Sequence, residues 1–249
     1  MSNFNNLVIN EWLKLFKKRS FFIPYAIVTV IVGIVSYFIV GKQLDFHFYM
    51  SSAFSKQTFG TFLTMLTIIG TAGIVASEYS SGTIKFLLIR TQSRTKILAS
   101  KYVTVLLYMF SIYAFAFGLT LASAFLFTNY NTSSVQWSTL GSTIGYALVY
   151  TLVYTTIAFM VGILTRSSAA TIGLGISLIA FEGLFLLLLS KYEISKFFIL
   201  TNLDLSMYKE GARPVFAGMS LNFSLLIIFV YLVLFLAASF VTFKKRDVS

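Results

Sequence analysis

The sequence predicts an all-α integral membrane protein with six transmembrane helices, and three observations lead to this fold class. First, 57% of the 249 residues are hydrophobic and only 11% are charged, whereas a soluble domain carries about 25% charged residues. Second, six apolar runs approach or exceed the roughly 20 residues that a helix needs to cross a hydrocarbon core of about 30 Å. Third, the basic residues cluster at the ends of these runs, which explains the net charge of +11 by membrane topology. Nucleic acid is therefore disfavoured as a partner, since it would require a basic face on a folded domain.

The chain divides into an N-terminal segment, residues 1–20, and a transmembrane domain, residues 21–249. The second apolar run is shorter than the others and contains glycines, so it lies at the low end of the allowed length for a span. Cysteine is absent, which excludes disulfides and thiolate metal sites. The predicted spans cover residues 21–40, 59–76, 103–127, 140–164, 169–189 and 221–243.

The N-terminal segment contains the run LVINEWLKLFKK, in which apolar residues recur at helical spacing. Glu11 and three lysines occupy the other face of this helix. Such a helix lies in the membrane interface, with its apolar face in the acyl boundary and its lysines toward anionic headgroups. The sequence therefore predicts an interfacial amphipathic helix before the first span. Its apolar face comprises Val8, Ile9, Trp12, Leu13 and Phe16.

Residues 77–102, SEYSSGTIKFLLIRTQSRTKILASKY, join the second and third spans. Residues 80–82 break the helix of the second span, and residues 83–89 can form a short helix that is too short to cross a membrane. Two interpretations stay open from the residues alone. The segment is either a surface helix on which a partner acts, or an ordinary basic loop whose apolar residues dip back into the membrane.

The distribution of lysine and arginine predicts the orientation of the chain. Thirteen of the nineteen basic residues fall on the side that holds both termini and residues 77–101, and six fall on the other side. Because short cytoplasmic loops carry an excess of lysine and arginine, both termini and residues 77–101 are predicted to be cytoplasmic.

Glu182 is a charged residue within the fifth predicted span. A carboxylate at membrane depth costs about 2.5–3.5 kcal/mol on insertion scales, so it should face a cavity, another polar group or an interface. We predict either a contact to cationic or amphipathic cargo along a translocation path, or a hydrogen-bonded side chain near the outer boundary with tyrosine or serine partners.

Small residues at helical spacing indicate close packing of helices, within one chain or between two chains. One row lies on the fifth span and a second pair on the second span. The predicted packing residues are Ala169, Gly173 and Ser177, and Gly70 and Gly73.

Residues 77–102 resemble the cytoplasmic hairpin of the ABC transporter type-2 permease family. In that family a glutamate, a Gly-Thr pair, an apolar helix, a basic turn and a K-I-L-x-x-K motif follow one another. The ending FKKRDV is also similar to that family, and the resemblance in topology covers essentially the whole chain. The residues that carry the match are Glu78, Gly82, Thr83, Arg90, Ser93, Arg94, Lys96, Ile97, Leu98 and Lys101.

The resemblance implies a permease subunit that is not itself an enzyme. In the family, the hairpin docks on a separate ATPase that binds ATP and magnesium, so no cofactor is expected in this chain. A second permease, identical or paralogous, completes the expected complex among the lipids of the bacterial cytoplasmic membrane. Short re-entrant or interfacial helices are expected between the fifth and sixth spans. The expected coupling residues are Glu78, Gly82, Thr83, Leu87, Leu88, Arg90, Arg94 and Lys96.

Common catalytic motifs are absent from the sequence, which contains no G-x-x-x-x-G-K-[ST], H-E-x-x-H or G-x-S-x-G pattern. The predicted function is ATP-driven export of an amphipathic peptide, antibiotic or lipid-like substrate. The alternative is an ATPase-independent secondary transporter or a membrane scaffold. A secondary transporter is expected to show inverted repeats or paired intramembrane charges, whereas Glu182 has no apparent partner in the sequence.

Overall fold

The computed structural model contains helices and no strand in the residues that it describes, which are 4–40, 44–75, 93–128, 136–209, 214–216 and 218–245. Six helical segments are long and apolar enough to cross a membrane. The predicted all-α membrane fold with six spans is therefore confirmed. The α-helices are α1 (Phe4–Phe16), α2 (Ile23–Ile39), α3 (Phe46–Ala53), α4 (Thr61–Val75), α5 (Arg94–Phe127), α6 (Trp137–Thr165), α7 (Ser168–Leu189), α8 (Ile199–Asn202) and α9 (Leu221–Lys245), and single-turn 3-10 helices cover Arg19–Phe21, Glu193–Phe197 and Leu205–Tyr208.

The second span differs most from its predicted bounds, because it extends over Phe46–Val75. It consists of α3 and α4. They are joined by a segment called the kinked turn below, which includes Lys56–Gly60 and in which Thr58 leaves helical geometry (φ −121°, ψ −117°). The Asp45 carboxylate begins α3 by accepting a hydrogen bond from the Phe48 amide at 3.1 Å, as N-cap residues do. The predicted start of the second span at residue 59 is therefore wrong, because the span begins at Phe46.

The third span, α5, begins at Arg94 rather than at residue 103. The Ser93 hydroxyl caps this helix by accepting a hydrogen bond from the Lys96 amide at 3.4 Å. With 34 residues, α5 is about 51 Å long at a rise of 1.5 Å per residue. It exceeds a hydrocarbon core of about 30 Å, so its terminal turns extend beyond the apolar part of the bilayer.

Helices α4 and α6 form the centre of the bundle and are the most buried of the six spans. Helix α4 packs against α5, α6 and α7, and α6 also packs against α9. Hydroxyl groups join α4, α5 and α6. The Tyr113 hydroxyl of α5 lies 2.6 Å from Thr151 Oγ1 of α6, and Thr64 Oγ1 of α4 lies 2.7 Å from the same Thr151 atom. Because these groups are buried, their mutual hydrogen bonds offset the loss of water.

One end of the bundle, called the basic end below, holds α1, the start of α5 and the end of α9. Glu11 of α1 forms an ion pair with Lys101 of α5 at 2.7 Å. The Arg94 guanidinium donates a hydrogen bond to the Lys244 carbonyl of α9 at 3.4 Å. The two ends of the described chain, residues 4 and 245, therefore belong to elements on the same side of the bundle. The other side is called the opposite end.

The connection between α7 and α9 lies at the opposite end and contains short helices, as predicted. Helix α8 and the 3-10 helices on either side of it follow one another between the two spans. Asn202 ties them together, because its amide donates to the Phe198 carbonyl at 2.8 Å and its carbonyl accepts from the Ser224 hydroxyl of α9 at 2.6 Å. Leu203 and Leu205 are buried, so this connection packs onto the bundle.

Gly70 is the position where the central packing is closest. A methyl group there would lie 2.0 Å from Cε1 of Tyr108, whose side chain is buried. We expect Gly70→Ala to lower the free energy of unfolding by about 1–3 kcal/mol, because the ring or the helix must move. Thermal unfolding of the purified protein in detergent micelles measures this loss. Gly118→Ala on the exposed face of α5 is the matched control, since a methyl group there meets no described atom within 4 Å; equal losses in both variants would contradict close packing at Gly70.

Candidate functional site

The predicted ATPase-coupling residues fall largely in a part of the chain that the structure does not describe. Arg94 and Lys96 are the exceptions, and both lie in the first turn of α5 at the basic end. Lys96 is exposed and Arg94 is half-buried. The predicted coupling residues outside the described residues are Glu78, Gly82, Thr83, Leu87, Leu88 and Arg90.

A buried ion pair lies directly behind this turn of α5 and joins it to α1. Glu11 Oε2 lies 2.7 Å from the Lys101 ammonium, and Glu11 Oε1 lies 2.5 Å from the Lys14 ammonium. Glu11 is 8% exposed and Lys101 is 3% exposed. The prediction that Glu11 lies with the lysines on the face opposite the apolar residues is therefore wrong, since Glu11 is buried against the bundle.

Electrostatics keep the Glu11 carboxylate ionised. Burial acts to raise the pKa of Glu11, but the ammonium groups of Lys101 and Lys14 outweigh it and hold that pKa below the usual value of 4.5. The sequence contained one signal of this pair: Glu11 is an acidic residue in an otherwise basic N-terminal segment.

The apolar residues of α1 divide between two surroundings. Leu7, Val8, Trp12 and Leu15 are partly buried against the bundle, and the Trp12 ring meets Phe21 edge-on with ring centres 5.8 Å apart. The remaining large apolar side chains are exposed, as an interfacial helix requires. The exposed apolar residues of α1 are Phe4, Ile9, Leu13 and Phe16.

Glu182 lies in a second buried ion pair, toward the opposite end. Its Oε1 lies 2.7 Å from the Lys56 ammonium, and its Oε2 accepts hydrogen bonds from the hydroxyls of Tyr150 at 2.7 Å and Tyr154 at 3.1 Å. Glu182 is 3% exposed. Both carboxylate oxygens are therefore occupied by groups of this chain, which matches the hydrogen-bonded interpretation with tyrosine partners; a contact between Glu182 and cargo stays a prediction.

The conclusion that Glu182 has no charged partner is wrong. Lys56 lies outside the predicted bounds of the second span, residues 59–76, whereas the structure places it within that span, in the kinked turn between α3 and α4. Glu182 lies about 10 Å from the Leu189 end of α7, at 1.5 Å per residue, and Lys56 lies in the half of the second span that is nearer Phe46. A comparison of depth along the spans would have indicated the pair, because both residues belong to the same end of the bundle.

A cavity of about 300 Å³, called the polar cavity below, adjoins this pair at the opposite end. Lys56 lines it and also lies 3.4 Å from Asp204. Lys209 lines it too, and its ammonium donates to the Thr143 hydroxyl at 2.6 Å. Burial lowers the pKa of Lys209, and the nearby Asp204 carboxylate only partly opposes this effect. Sequence reasoning did not identify this cavity, because three separate segments of the chain form it.

The predicted small-residue positions divide into two groups. Gly70 packs against Tyr108 within this chain, whereas Ala169, Gly173 and Ser177 are exposed along one row of α7. Gly73 is exposed on α4, and a methyl group there would meet no described atom within 4 Å. The side of α7 that carries this row is exposed, and its role in self-association stays a prediction.

Metal ligands do not cluster in the part of the chain that the structure describes. No group of three or more His, Asp or Glu side chains lies close enough there to hold a metal ion. The chemistry of the described residues is therefore that of ion pairs, hydroxyl groups and aromatic rings.

The fold and its two buried ion pairs define a multi-pass α-helical membrane protein. Residues 26–249 match the family described as "Protein of unknown function (DUF2705)", and the chain belongs to this family. The match covers α3 to α9 and α2 from residue 26 onward, and it begins after α1.

Two proteins of Bacillus subtilis (strain 168) are similar to the chain. One is the uncharacterized protein YhcI, which is 35% identical in an alignment 207 residues long that covers 76% of this chain and 66% of that protein. The chain therefore spans just under two thirds of the length of YhcI. The other is the uncharacterized membrane protein YdbK, 27% identical over 255 residues, which cover 100% of this chain and 99% of that protein.

Proposed function

We propose that this chain is a permease subunit of an ATP-driven ABC exporter. It forms a translocation path with a second permease, identical or paralogous, and a separate ATPase subunit binds ATP and magnesium. The cargo is an amphipathic peptide, antibiotic or lipid-like molecule. The complex lies in the bacterial cytoplasmic membrane, with the basic end on the cytoplasmic side.

The observation that carries this proposal is the ion-paired connection at the basic end. Residues 93–101, which resemble the end of the permease hairpin, form the first turns of α5. Ile97 and Leu98 bury their side chains in the bundle, and Lys101 is held by Glu11 of α1. A force applied to the segment before residue 93 would therefore move α5 and α1 together. This is the mechanical arrangement that a subunit driven from the cytosol requires.

The charge at the basic end also supports this orientation. Lys14, Lys17 and Lys18 of the N-terminal region, together with Lys244 and Lys245 at the end of α9, lie there. Such an excess of basic residues is typical of a cytoplasmic surface beside anionic lipids. The same surface would meet the ATPase.

The test is co-purification of the permease with an ATPase encoded beside it, followed by measurement of ATP hydrolysis in nanodiscs. We expect Leu87→Asp or Leu88→Asp to leave the permease inserted but to lose stimulation of the ATPase, because apolar anchors at an interface centre carry most of the binding energy. Arg94→Ala is the control. We expect a much smaller loss of ATPase stimulation, since charges at the rim of an interface mainly change the rate of association. Full stimulation of the ATPase by the aspartate variants would contradict coupling through this segment.

The buried Lys56–Glu182 pair favours a second candidate, a secondary transporter, because such proteins use paired intramembrane charges. Its depth fits this candidate as well, since Glu182 lies about 5 Å from the centre of the 22-residue helix α7 at a rise of 1.5 Å per residue. Transport assays separate the two. Inhibition by vanadate indicates the ATP-driven exporter, whereas inhibition by a protonophore alone indicates the secondary transporter, and absence of transport indicates a scaffold.

A further inference from the structure

The polar cavity is bounded by three segments that are distant in sequence. The kinked turn contributes Lys56, α6 contributes Thr143, Tyr146 and Tyr150, and the connection before α9 contributes the residues around its last 3-10 helix. Its volume of about 300 Å³ is at the lower end of the range for small-molecule sites, about 300–1,000 Å³. The cavity is therefore large enough for a small headgroup.

The polar cavity and its border hold two lysines and two carboxylates, and the two lysines differ in their partners. Lys56 lies between two carboxylates, at 2.7 Å from Glu182 and 3.4 Å from Asp204. Lys209, in contrast, donates to a neutral hydroxyl and forms no ion pair with any residue that the structure describes. An ammonium group with a neutral partner retains donors for an acidic group of a ligand.

Asp204 supplies the opposite charge at the other end of the same short helix. One of its oxygens accepts a hydrogen bond from the Ser206 amide at 3.1 Å, which caps the 3-10 helix Leu205–Tyr208. The other oxygen makes only the long contact with Lys56. Asp204 and Lys209 thus flank one helical turn at the cavity wall, one negative and one positive.

We propose that the polar cavity binds a zwitterionic headgroup, with its acidic group at Lys209 and its ammonium group at Asp204. A ligand with only an acidic group would meet the carboxylate of Asp204, and a ligand with only an ammonium group would meet the ammonium groups of Lys56 and Lys209. A zwitterion offers an acidic group to Lys209 and an ammonium group to Asp204, so neither of its charges is left without a partner in this partly buried site.

Aromatic rings in the wall fit the same chemistry. The Lys209 ammonium lies 6.0 Å from the centre of the Tyr146 ring, and the Lys56 ammonium lies 5.2 Å from that of Tyr150. The wall thus already holds ammonium groups against tyrosine faces, which attract cations. The inference does not depend on the proposed ATPase partner, because it concerns only groups of this chain.

The experiment uses the full chain in nanodiscs of phosphatidylglycerol and follows thermal unfolding by intrinsic fluorescence. O-phosphoethanolamine is titrated as a soluble zwitterion, with inorganic phosphate and ethanolamine as its separate halves. In a second arm, phosphatidylethanolamine is added to the bilayer. A ligand that binds only the folded state raises the unfolding temperature in proportion to its occupancy. We expect a rise with at least one zwitterion and no comparable rise with either half.

Three variants locate the site. We expect Lys209→Gln and Asp204→Asn each to raise the half-saturating concentration by about tenfold or more, since each removes a charge-assisted hydrogen bond to the ligand. Lys191→Gln is the matched control, because Lys191 is an exposed lysine at the same end, and its response should equal that of the wild type.

The ligand titrations of the wild-type protein test the proposal even if a variant fails to fold, because they compare zwitterions with their separate halves. A response to O-phosphoethanolamine supports a small solute as the ligand, and a response to phosphatidylethanolamine alone supports a lipid headgroup. No response to either zwitterion, an equal response to phosphate or ethanolamine alone, or an equal loss in Lys191→Gln would overturn the proposal.

Discussion

Glu182→Ala is expected to lower the free energy of unfolding by about 3 kcal/mol. Breaking a buried ion pair by removing one partner costs about 3–5 kcal/mol. The lower end applies here, because the Lys56 side chain is 22% exposed and keeps its contact with Asp204. The hydroxyls of Tyr150 and Tyr154 also lose their acceptor. For a chain of this size, a loss of 1 kcal/mol lowers the unfolding temperature by about 2–4 °C, so thermal unfolding in micelles should show a shift of about 10 °C.

Further variants separate the charge of Glu182 from its shape and hydrogen bonds. Glu182→Gln keeps an oxygen acceptor for the tyrosines but removes the charge, so it should cost less than Glu182→Ala. The double variant Lys56→Met with Glu182→Leu removes both charges, and it should recover much of the loss, because no buried charge is left without its partner.

Glu193→Ala is the surface control for these measurements. Glu193 is exposed at the same end of the bundle, and exposed substitutions usually change stability by less than about 0.5 kcal/mol. If Glu182→Ala were as mild as Glu193→Ala, the buried pair with Lys56 would not exist in the membrane protein.

Lys101→Met is expected to weaken the packing of α1 against the bundle and to reverse the pH dependence of stability. Lys101 is 3% exposed and pairs with Glu11 at 2.7 Å. After the substitution, Glu11 remains buried with only Lys14, whose side chain is 48% exposed. We expect a loss of about 2–4 kcal/mol near neutral pH, because a carboxylate is left in a low-dielectric site with a weak partner. Hydrogen–deuterium exchange of residues 4–16 should rise in parallel.

The sign of the pH effect follows from the pKa of Glu11. In the wild type this pKa lies below the usual 4.5, so the unfolded state binds more protons as the pH falls. The stabilisation is therefore present above about pH 4.5 and is lost as the pH falls through the lower, folded-state pKa. In Lys101→Met, burial dominates and raises the pKa of Glu11. The stability of that variant should then increase as the pH falls through this raised value and level off below the usual value of 4.5.

Lys14→Met provides the matched control, because it removes the other cation that contacts Glu11. Lys14 is the more exposed partner, and exposed ion pairs are worth only about 0–1 kcal/mol. This variant should keep α1 in place and keep the wild-type direction of the pH dependence. The same direction in Lys101→Met would show that Lys101 does not set the pKa of Glu11.

The spans could be predicted because the membrane imposes a local rule on the chain. In lipid, every backbone polar group must be satisfied within the segment, and only a continuous apolar helix of sufficient length does this. Residues 169–189 and 221–243 accordingly agree with α7 and α9 to within two residues at each end. The bounds were less accurate where polar caps decide them. Asp45 and Ser93 start helices earlier than the hydrophobicity of the following residues indicates.

The candidate sites could be predicted only in part. The sequence showed that Glu182 requires a polar partner, because an isolated carboxylate is too costly in lipid. It did not show that the partner is Lys56, which is 126 residues away. Likewise, the helical spacing of α1 indicated an interfacial helix but assigned Glu11 to the wrong face. Amphipathicity reports the average direction of the apolar side chains and not the position of one buried charge.

Composition and helix length are properties of separate segments, and they were enough to predict the class of protein, the number of spans and the excess of basic residues at one end. The pairing of Lys56 with Glu182, the pairing of Lys101 with Glu11 and the cavity lined by Lys209 and Asp204 became visible only in the folded bundle. These contacts depend on which helices become neighbours and on how each is rotated about its axis. In a membrane, helix packing sets both through small residues and polar contacts between distant segments, and a periodic pattern of apolar residues does not specify them.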